Sequence, residues 1–384
     1  MGAAGARGCA LPHNHYRALT AETNASSNCV MRVDLDALAR NYRALRTAAI
    51  PGRCGAVIKA NAYGLGVEPV AKRLFDEGCR HFFVANLSEG TALRALFATA
   101  EIFVLSGALD GEERALRVAS LIPVLNSHEQ VVRWVELGDS KRYPAVINLD
   151  TGMSRLGLDA RELNQLALDT GTLGELEIAY VMTHLACGDT PENSMNERQI
   201  AEFEVLKQRL PPAPTSIGNS AGLLSGEKYR GDLSRPGIAL YGGNPFSSRA
   251  NPMEPVVTLL APVLQVREVT RTATVGYGAT RQVDAPARLA TLGVGYADGI
   301  PYSLSNSGRG YLSDTYVPIV GRVSMDLVSV DVSAAPRHSV YPGAMVELVG
   351  PNVLLDEVAE AAGTIGYEIL TGLGPRWQRR YLTT

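Results

Sequence analysis

A lysine at the end of a short apolar run is the first place in this sequence where side-chain type suggests chemistry. In the stretch AVIKANAYGLG, Ala56 to Gly66, three apolar residues deliver Lys59 to the mouth of what reads as a buried strand, and Asn61, Tyr63, Gly64 and Gly66 then turn the chain. Desolvating an ammonium is costly and lowers its pKa, so a lysine on the core side of a strand needs a partner or a task. Two readings fit this stretch alone. One is a strand-end lysine that snorkels to solvent; the other is a Schiff-base lysine, made nucleophilic by desolvation and joined to a cofactor aldehyde. Further along stand Arg155 in DTGMSRLG, His184 closing IAYVMTH, Asn219 and Ser220 in GNSAG, and Arg235 in SRPGIALYG. Each by itself reads equally as loop polarity, and Arg235 as a surface ion pair before Pro236. Together they offer an amine, two guanidiniums, an imidazole and a hydroxyl.

The elements that must carry these residues alternate. Apolar strand-like runs begin at 56 (AVIK), 82 (FFVA), 102 (IFVL), 122 (IPVL), 145 (AVINL), 178 (IAYVMTH), 215 (TSIGN) and 237 (GIALY). Helix-period segments such as VEPVAKRLFDEG, EGTALRALF, EQVVRWVEL and NERQIAEFEVLKQRL separate most of them. Eight runs with helical crossovers predict an α/β fold, a (β/α)8 TIM barrel, whose chemistry sits at the carboxyl ends of its strands. Lys59, Arg155, His184, Asn219 and Ser220 end or follow their runs, and SRPGIALYG, with Arg235, brackets the eighth. Upstream, VMRVD from Val30 reads as a strand, and Asp34 caps a helix with Leu35, Leu38, Tyr42 and Leu45 on its apolar face. After about Met253 the pattern becomes short alternating runs, with one helix at LDEVAEAAG, a mostly β second domain. The expected division is a flexible extension over 1–29, a barrel over 30–252 and a β domain over 253–384.

Composition removes several function classes. With 36 basic against 39 acidic residues and a net charge of -3, the chain has no nucleic-acid footprint. The five cysteines form no CxxC pair and no zinc-like spacing, which predicts no metal site and fits a reduced, cytoplasmic setting. The first 28 residues hold no apolar run of signal-peptide length, and no window approaches the ~20 apolar residues of a membrane span.

From about residue 30 to the end, the ordered motifs AVIKANAYGLG, DTGMSRLG, THLA, GNSAG, SRPGIALYG, VGYGATR, GYADG, GRVSMDL and GYEILTGLGPR resemble the alanine racemase family. The resemblance implies a TIM barrel followed by a β domain, with pyridoxal 5'-phosphate as cofactor. It implies that Lys59 holds the cofactor and is one base, and that Tyr277 is the second. Tyrosine titrates near ~10, so it needs tuning, which the family routes through His184 and Arg235. An arginine facing the pyridine nitrogen does not surrender its proton, which leaves the ring a weaker electron sink and favours reprotonation of the substrate carbon over transamination.

By the same resemblance the phosphate meets Tyr63, Ser220, the N–H groups of Gly237 and Ile238, and Tyr367, with Asn219 alongside. The substrate carboxylate meets Arg155 and the backbone near Met325, and Tyr296 and Asp326 line the entrance. Tyr277, Tyr296, Met325 and Asp326 reach the other subunit's cofactor in this family, which implies a homodimer with shared sites. One position departs from the family: many members carry a lysine, often carbamylated, where this chain has Asn148, and a small anion such as chloride is expected to replace it. The implied reaction is interconversion of L- and D-alanine, supplying D-alanine for peptidoglycan. Its rivals are a racemase of serine, lysine or broad specificity, a decarboxylase of the same fold, disfavoured by Arg235, and a non-catalytic pyridoxal-phosphate carrier, disfavoured by the second domain and Tyr277.

Overall fold

A short stretch of extended chain and a helix open the fold. In this computed structural model the described residues are 29–137 and 142–383, so the extension expected over 1–29 lies, Cys29 apart, outside them. Strand β1 (Val30–Asp34) leads into helix α1 (Leu35–Ala49), where Asp34 Oδ1 accepts the N–H groups of Asp36 and Ala37 at 2.9 and 2.8 Å. That cap satisfies two of the donors a helix start leaves unpaired, and Leu35, Leu38, Tyr42 and Leu45 are buried beneath it.

Seven parallel strands follow in sequence order: β2 (Ala56–Val57), β3 (His81–Val84), β4 (Glu101–Val104), β5 (Ile122–Leu125), β6 (Pro144–Asn148), β7 (Glu177–Met182) and β8 (Thr215–Ser216). Helices cover the outside, including α2 (Val67–Asp76), α3 (Leu87–Leu96), α4 (His128–Glu136) and α5 (Ser194–Lys207). The interior is packed solid, with Phe83 and Phe103 rings stacked at 4.6 Å and Phe82, Val104, Val124 and Ile147 fully buried.

The eighth run corrects the sequence expectation. GIALY is not a strand: Ile238–Tyr241 form a 3-10 turn, and the barrel closes one step earlier, through Leu233–Ser234 paired in parallel with Arg53–Cys54 just ahead of β2. Gly55 N–H donates to Ser234 O at 2.9 Å and Val57 N–H to Pro236 O at 2.9 Å, while Asp232 N–H donates to Thr215 O at 2.8 Å, which joins the ring on both sides. A short all-apolar run is equally consistent with strand and buried helix, and Pro236 removes the donor a ladder would need.

The second domain is an eight-stranded, mostly antiparallel sheet built on the long strand Val257–Val269. Its first half pairs with Met345–Val349 and its second with Ala287–Leu292. The strand β1 belongs to this sheet, not to the barrel: Val30–Val33 run antiparallel to Val257–Leu260, and Val30–Asp34 run parallel to the C-terminal strand β9 (Gln378–Leu382). The first and last of the described strands are therefore paired side by side in one sheet. No helix among the described residues is long and apolar enough to cross a membrane, and no group of acidic, histidine and cysteine side chains there could hold a metal ion.

Candidate active site

Lys59 leaves β2 into a backbone conformation that L-residues rarely adopt. Ala60, Asn61, Ala62 and Tyr63 all have positive φ, between 53° and 55°, a left-handed turn of four non-glycine residues. Such residues cost about 1–2 kcal/mol each, so the surroundings must hold them. They do so from several directions. Glu89 Oε1 accepts the Ala60 N–H at 2.8 Å, Asn61 Oδ1 accepts the Val67 N–H at 2.8 Å, Arg379 donates to Gly64 O from Nε and Nη2 at 3.2 and 2.9 Å, and Tyr381 Oη donates to Leu65 O at 3.0 Å. Arg379 and Tyr381 lie on β9, so the second domain braces the turn that presents Lys59.

A cavity of about 640 Å³ opens at the carboxyl ends of the strands, lined by Lys59, Tyr63, Asn148, Arg155, His184, Asn219, Ser220, Arg235, Gly237, Ile238 and Tyr367. Burial, and then the charge of Arg155, lower the Lys59 pKa, while Glu89 opposes the shift. Arg155 rides on the loop after β6, which Asp150 Oδ1 folds by accepting the N–H groups of Gly152, Met153 and Ser154 at 2.9, 2.9 and 3.1 Å. Asn148 is buried with its Nδ2 given to Asn126 Oδ1 at 2.8 Å, and its own Oδ1 has no partner.

Arg235 is 4% exposed. Its guanidinium donates to Ser216 Oγ (2.7 Å), Thr183 O (2.9 Å) and Ile217 O (3.2 Å), and Nη2 stands 3.3 Å from His184 Nδ1. Burial lowers its pKa to about 10, which leaves it charged at neutral pH. Since a guanidinium can only donate, Nδ1 of His184 accepts, and the neutral imidazole carries its proton on Nε2. Burial first, then Arg235, Arg155 and Lys59, hold the His184 pKa down at about 3.

A folded pKa below the ordinary 6.5 means that unfolding takes up a proton between about pH 3 and 6.5, so the stability this group contributes is complete above 6.5 and lost as pH falls toward 3. Denaturant unfolding across that window is expected to show roughly one proton fewer taken up in His184→Gln than in the parent chain. Equal pH slopes for the two proteins would contradict a buried neutral His184.

At the other end of the cavity Ser220 Oγ accepts the N–H groups of Gly237 and Ala239 at 2.9 and 3.3 Å. Tyr63, 6% exposed, is flanked by Tyr241 and Tyr367 with ring centroids 4.6 and 5.9 Å away, and burial raises the pKa of both Tyr63 and Tyr367, the latter to about 12. Both stay protonated hydroxyl donors. Asn219 caps the helix that begins at Ser220.

Four of the residues named from the sequence are elsewhere. Tyr277, Tyr296, Met325 and Asp326 sit on the second domain, line no part of this cavity and are exposed, Tyr277 by 74%. Asp326 receives Arg376 Nη1 at 2.7 Å, and the same guanidinium grips Asp298 through Nε and Nη2, both at 2.7 Å. Sequence reasoning missed Glu89, Tyr241, Arg376 and Arg379. Glu89 had a signal, since it stands three residues after the cap Asn86, whereas Arg379 is recognisable only once β9 is placed beside β1.

The profile of the alanine racemase N-terminal domain matches residues 33–245, and that of the C-terminal domain matches 256–381. The chain belongs to the alanine racemase family. An alanine racemase of Brucella abortus is 45% identical over 377 residues, covering 94% of this chain and 95% of its own, and a catabolic alanine racemase of Agrobacterium fabrum is 46% identical over 357 residues, covering 92% of each. Among solved structures, alanine racemase from Bartonella henselae, with covalently bound pyridoxal phosphate, superposes with a TM-score of 0.89 at 39% identity, covering 92% of this chain and 99% of that one. The biosynthetic alanine racemase of Pseudomonas aeruginosa gives 0.87 at 34% identity, covering 93% and 99%.

Proposed function

We propose that this chain is an alanine racemase, interconverting L-alanine and D-alanine with pyridoxal 5'-phosphate held at Lys59. The observation that carries the proposal is the convergence of a pKa-lowered amine, two guanidiniums and a neutral imidazole on one cavity of an alanine racemase fold. The residues present fit the cofactor. The cavity of about 640 Å³ is roomy enough, and at Gly237 even a Cβ would collide with Tyr63 Oη, so the backbone there is kept bare for close approach. Tyr63, Ser220, Tyr367 and the N–H groups of Gly237 and Ile238 would hold the phosphate, and Arg235 would face the ring nitrogen as a donor that keeps its own proton.

When bound, the cofactor supplies an electron sink that acidifies the Cα–H of the attached amino acid. Lys59 serves one face of that carbon as proton acceptor and donor. Arg155 fixes the substrate carboxylate. Tyr277 from a second copy of the chain serves the opposite face, with Met325 beside the carboxylate and Tyr296 and Asp326 at the entrance, in a homodimer with shared sites. The exposure of these four residues outside their own cavity supports that reading. Neutral His184, held by Arg235, adjusts the phenol. A chloride beside Asn148 and Arg155 would replace the missing carbamate, and anomalous scattering at that spot is the check. The cytoplasmic placement rests on four free cysteines among the described residues, and the supply of D-alanine for peptidoglycan follows from the reaction.

Cofactor-loaded protein incubated separately with L-alanine, L-serine and L-lysine, then resolved on a chiral column, is expected to produce the D-isomer fastest from alanine. Preserved configuration in all three would sink the proposal. Mixing the inactive Lys59→Ala and Tyr277→Phe chains under exchange conditions is expected to restore about a quarter of the parent activity, because half the dimers become hybrids with one intact site each. Absence of recovery would mean that the sites are not shared.

A further inference from the structure

Glu89 is the third residue of α3, whose cap Asn86 accepts the Glu89 N–H at 3.0 Å. In a capping box a glutamate at that position turns back to the N–H of the cap residue. Glu89 does something else with its carboxylate. Oε2 accepts the N–H of Ala85, the first residue after β3, at 2.8 Å, and Oε1 accepts the N–H of Ala60, the residue after Lys59, also at 2.8 Å. These two peptides leave neighbouring strands, since β2 pairs with β3 through Ala56–Phe82 and Val57–Phe83. The carboxylate thus ties two strand ends together at the point where the chain enters the left-handed turn at Ala60, φ 53°. Charge-assisted hydrogen bonds of this kind are roughly twice as strong as neutral ones, and here they offset the cost of that backbone conformation.

We infer that Glu89 is a positioning residue for Lys59: by spanning the Ala60 and Ala85 N–H groups it pins the start of the left-handed turn against the next strand and fixes where the amine enters the cavity. The inference rests on Lys59 being the reacting amine of the proposed racemase. The charged and titratable groups lining the cavity around that amine come from separate elements: Tyr63 on the left-handed turn, Asp150 and Arg155 on the loop after β6, His184 after β7, Arg235 after the barrel-closing pair and Tyr367 on the second domain, while Glu89 on α3 acts on the amine from behind the turn. Of the two charges that shift the amine, Arg155 and Glu89, Glu89 is the anion. It favours the ammonium, opposing Arg155, so its removal lets the Lys59 pKa fall further.

Glutamine in its place has the same shape but one acceptor oxygen, so Glu89→Gln can keep only one of the two N–H groups. The test measures, on the full-length chain freed of cofactor, the pH midpoint at which Lys59 becomes reactive to competitive acetylation, read by mass spectrometry of the peptide containing it. The same variants, reloaded, give kcat and KM for alanine. Expected for Glu89→Gln are a midpoint displaced to lower pH and a kcat reduced about 10- to 100-fold with KM little changed, the scale of a misplaced reacting group. Asn86→Ala weakens the same helix without touching the carboxylate, and is expected to lower the melting temperature while leaving midpoint and kcat at parent values. Parent values in Glu89→Gln, or equal displacement in Asn86→Ala, overturn the inference. Should Glu89→Gln not fold, Glu89→Asp carries the test: it keeps the charge but is too short to span both groups, so it should hold the midpoint and lose kcat, and an undiminished kcat overturns the inference. The labelling midpoint reports on the clamp even if the chain racemises no alanine, so failure here and failure of the proposed function are distinguishable.

Discussion

Replacing Lys59 with alanine is expected to lower the racemase rate by about 10⁴-fold or more without unfolding the chain. The loss is large because one side chain is asked to do two things, hold the cofactor and move a proton at Cα, and groups that act as a unit are not replaced piecemeal. The structure gives the reason that this lysine suits both. Burial and the Arg155 charge lower its pKa, which raises the fraction present as free amine near neutrality, while the left-handed turn behind it fixes its direction. Stability should change little. The side chain is half-buried, and shedding its ammonium removes a desolvation cost along with its aliphatic contacts. Chiral chromatography of the product, paired with a thermal melt, measures both quantities. A variant that keeps more than about a tenth of the parent rate, a barrier change under 1.4 kcal/mol, would show that Lys59 is not the reacting amine.

Gly237→Ala is the second large effect. The added methyl would collide with Tyr63 Oη, lie 3.1 Å from Tyr63 Cζ and 3.5 Å from Val57 Cβ. Tyr63 cannot swing aside easily. Its backbone has φ 55°, its ring is wedged between Tyr241 and Tyr367, and Tyr241 is itself tied to Val57 O by a 2.9 Å hydrogen bond. Either the tyrosine hydroxyl or the Gly237 N–H must leave the end of the cavity, and both are proposed phosphate donors. Overpacking of this kind costs about 1–3 kcal/mol of stability. Cofactor affinity is expected to fall about 10²-fold, the equivalent of losing roughly 2.7 kcal/mol, as measured by equilibrium dialysis of pyridoxal phosphate against the purified variant. Cofactor affinity equal to the parent's would show that the bare backbone at Gly237 does not serve the phosphate.

Much of the cavity's lining was legible because its residues stand at strand ends. Lys59, Arg155, His184 and Ser220 each come at or after the end of an apolar run, and the parallel barrel gathers the carboxyl ends of such runs on one face, whereas Arg235 precedes its run and reaches that face because the barrel closes through Leu233–Ser234. The run GIALY misled for a physical reason: Ile238, Ala239, Leu240 and Tyr241 are all buried, so no alternation of polar and apolar residues distinguishes strand from turn. VMRVD was rightly read as a strand, but its partners are 220 and more residues away, and nothing local says that they belong to the second domain.

By itself the sequence determined which functional groups this protein owns, seven of the barrel's strands in their order, and the Asp34 cap of the first helix, because apolar periodicity and cap chemistry act over a few residues. Tertiary structure alone decided three things: that Ala60 to Tyr63 take the left-handed conformation, that Arg379 and Tyr381 from the far end of the chain brace that turn, and that Tyr277 faces outward. Each depends on contacts or exposure between distant segments. A conformation costly to every residue in it can persist only where packing from elsewhere holds it, and that support is invisible until the chain has closed on itself.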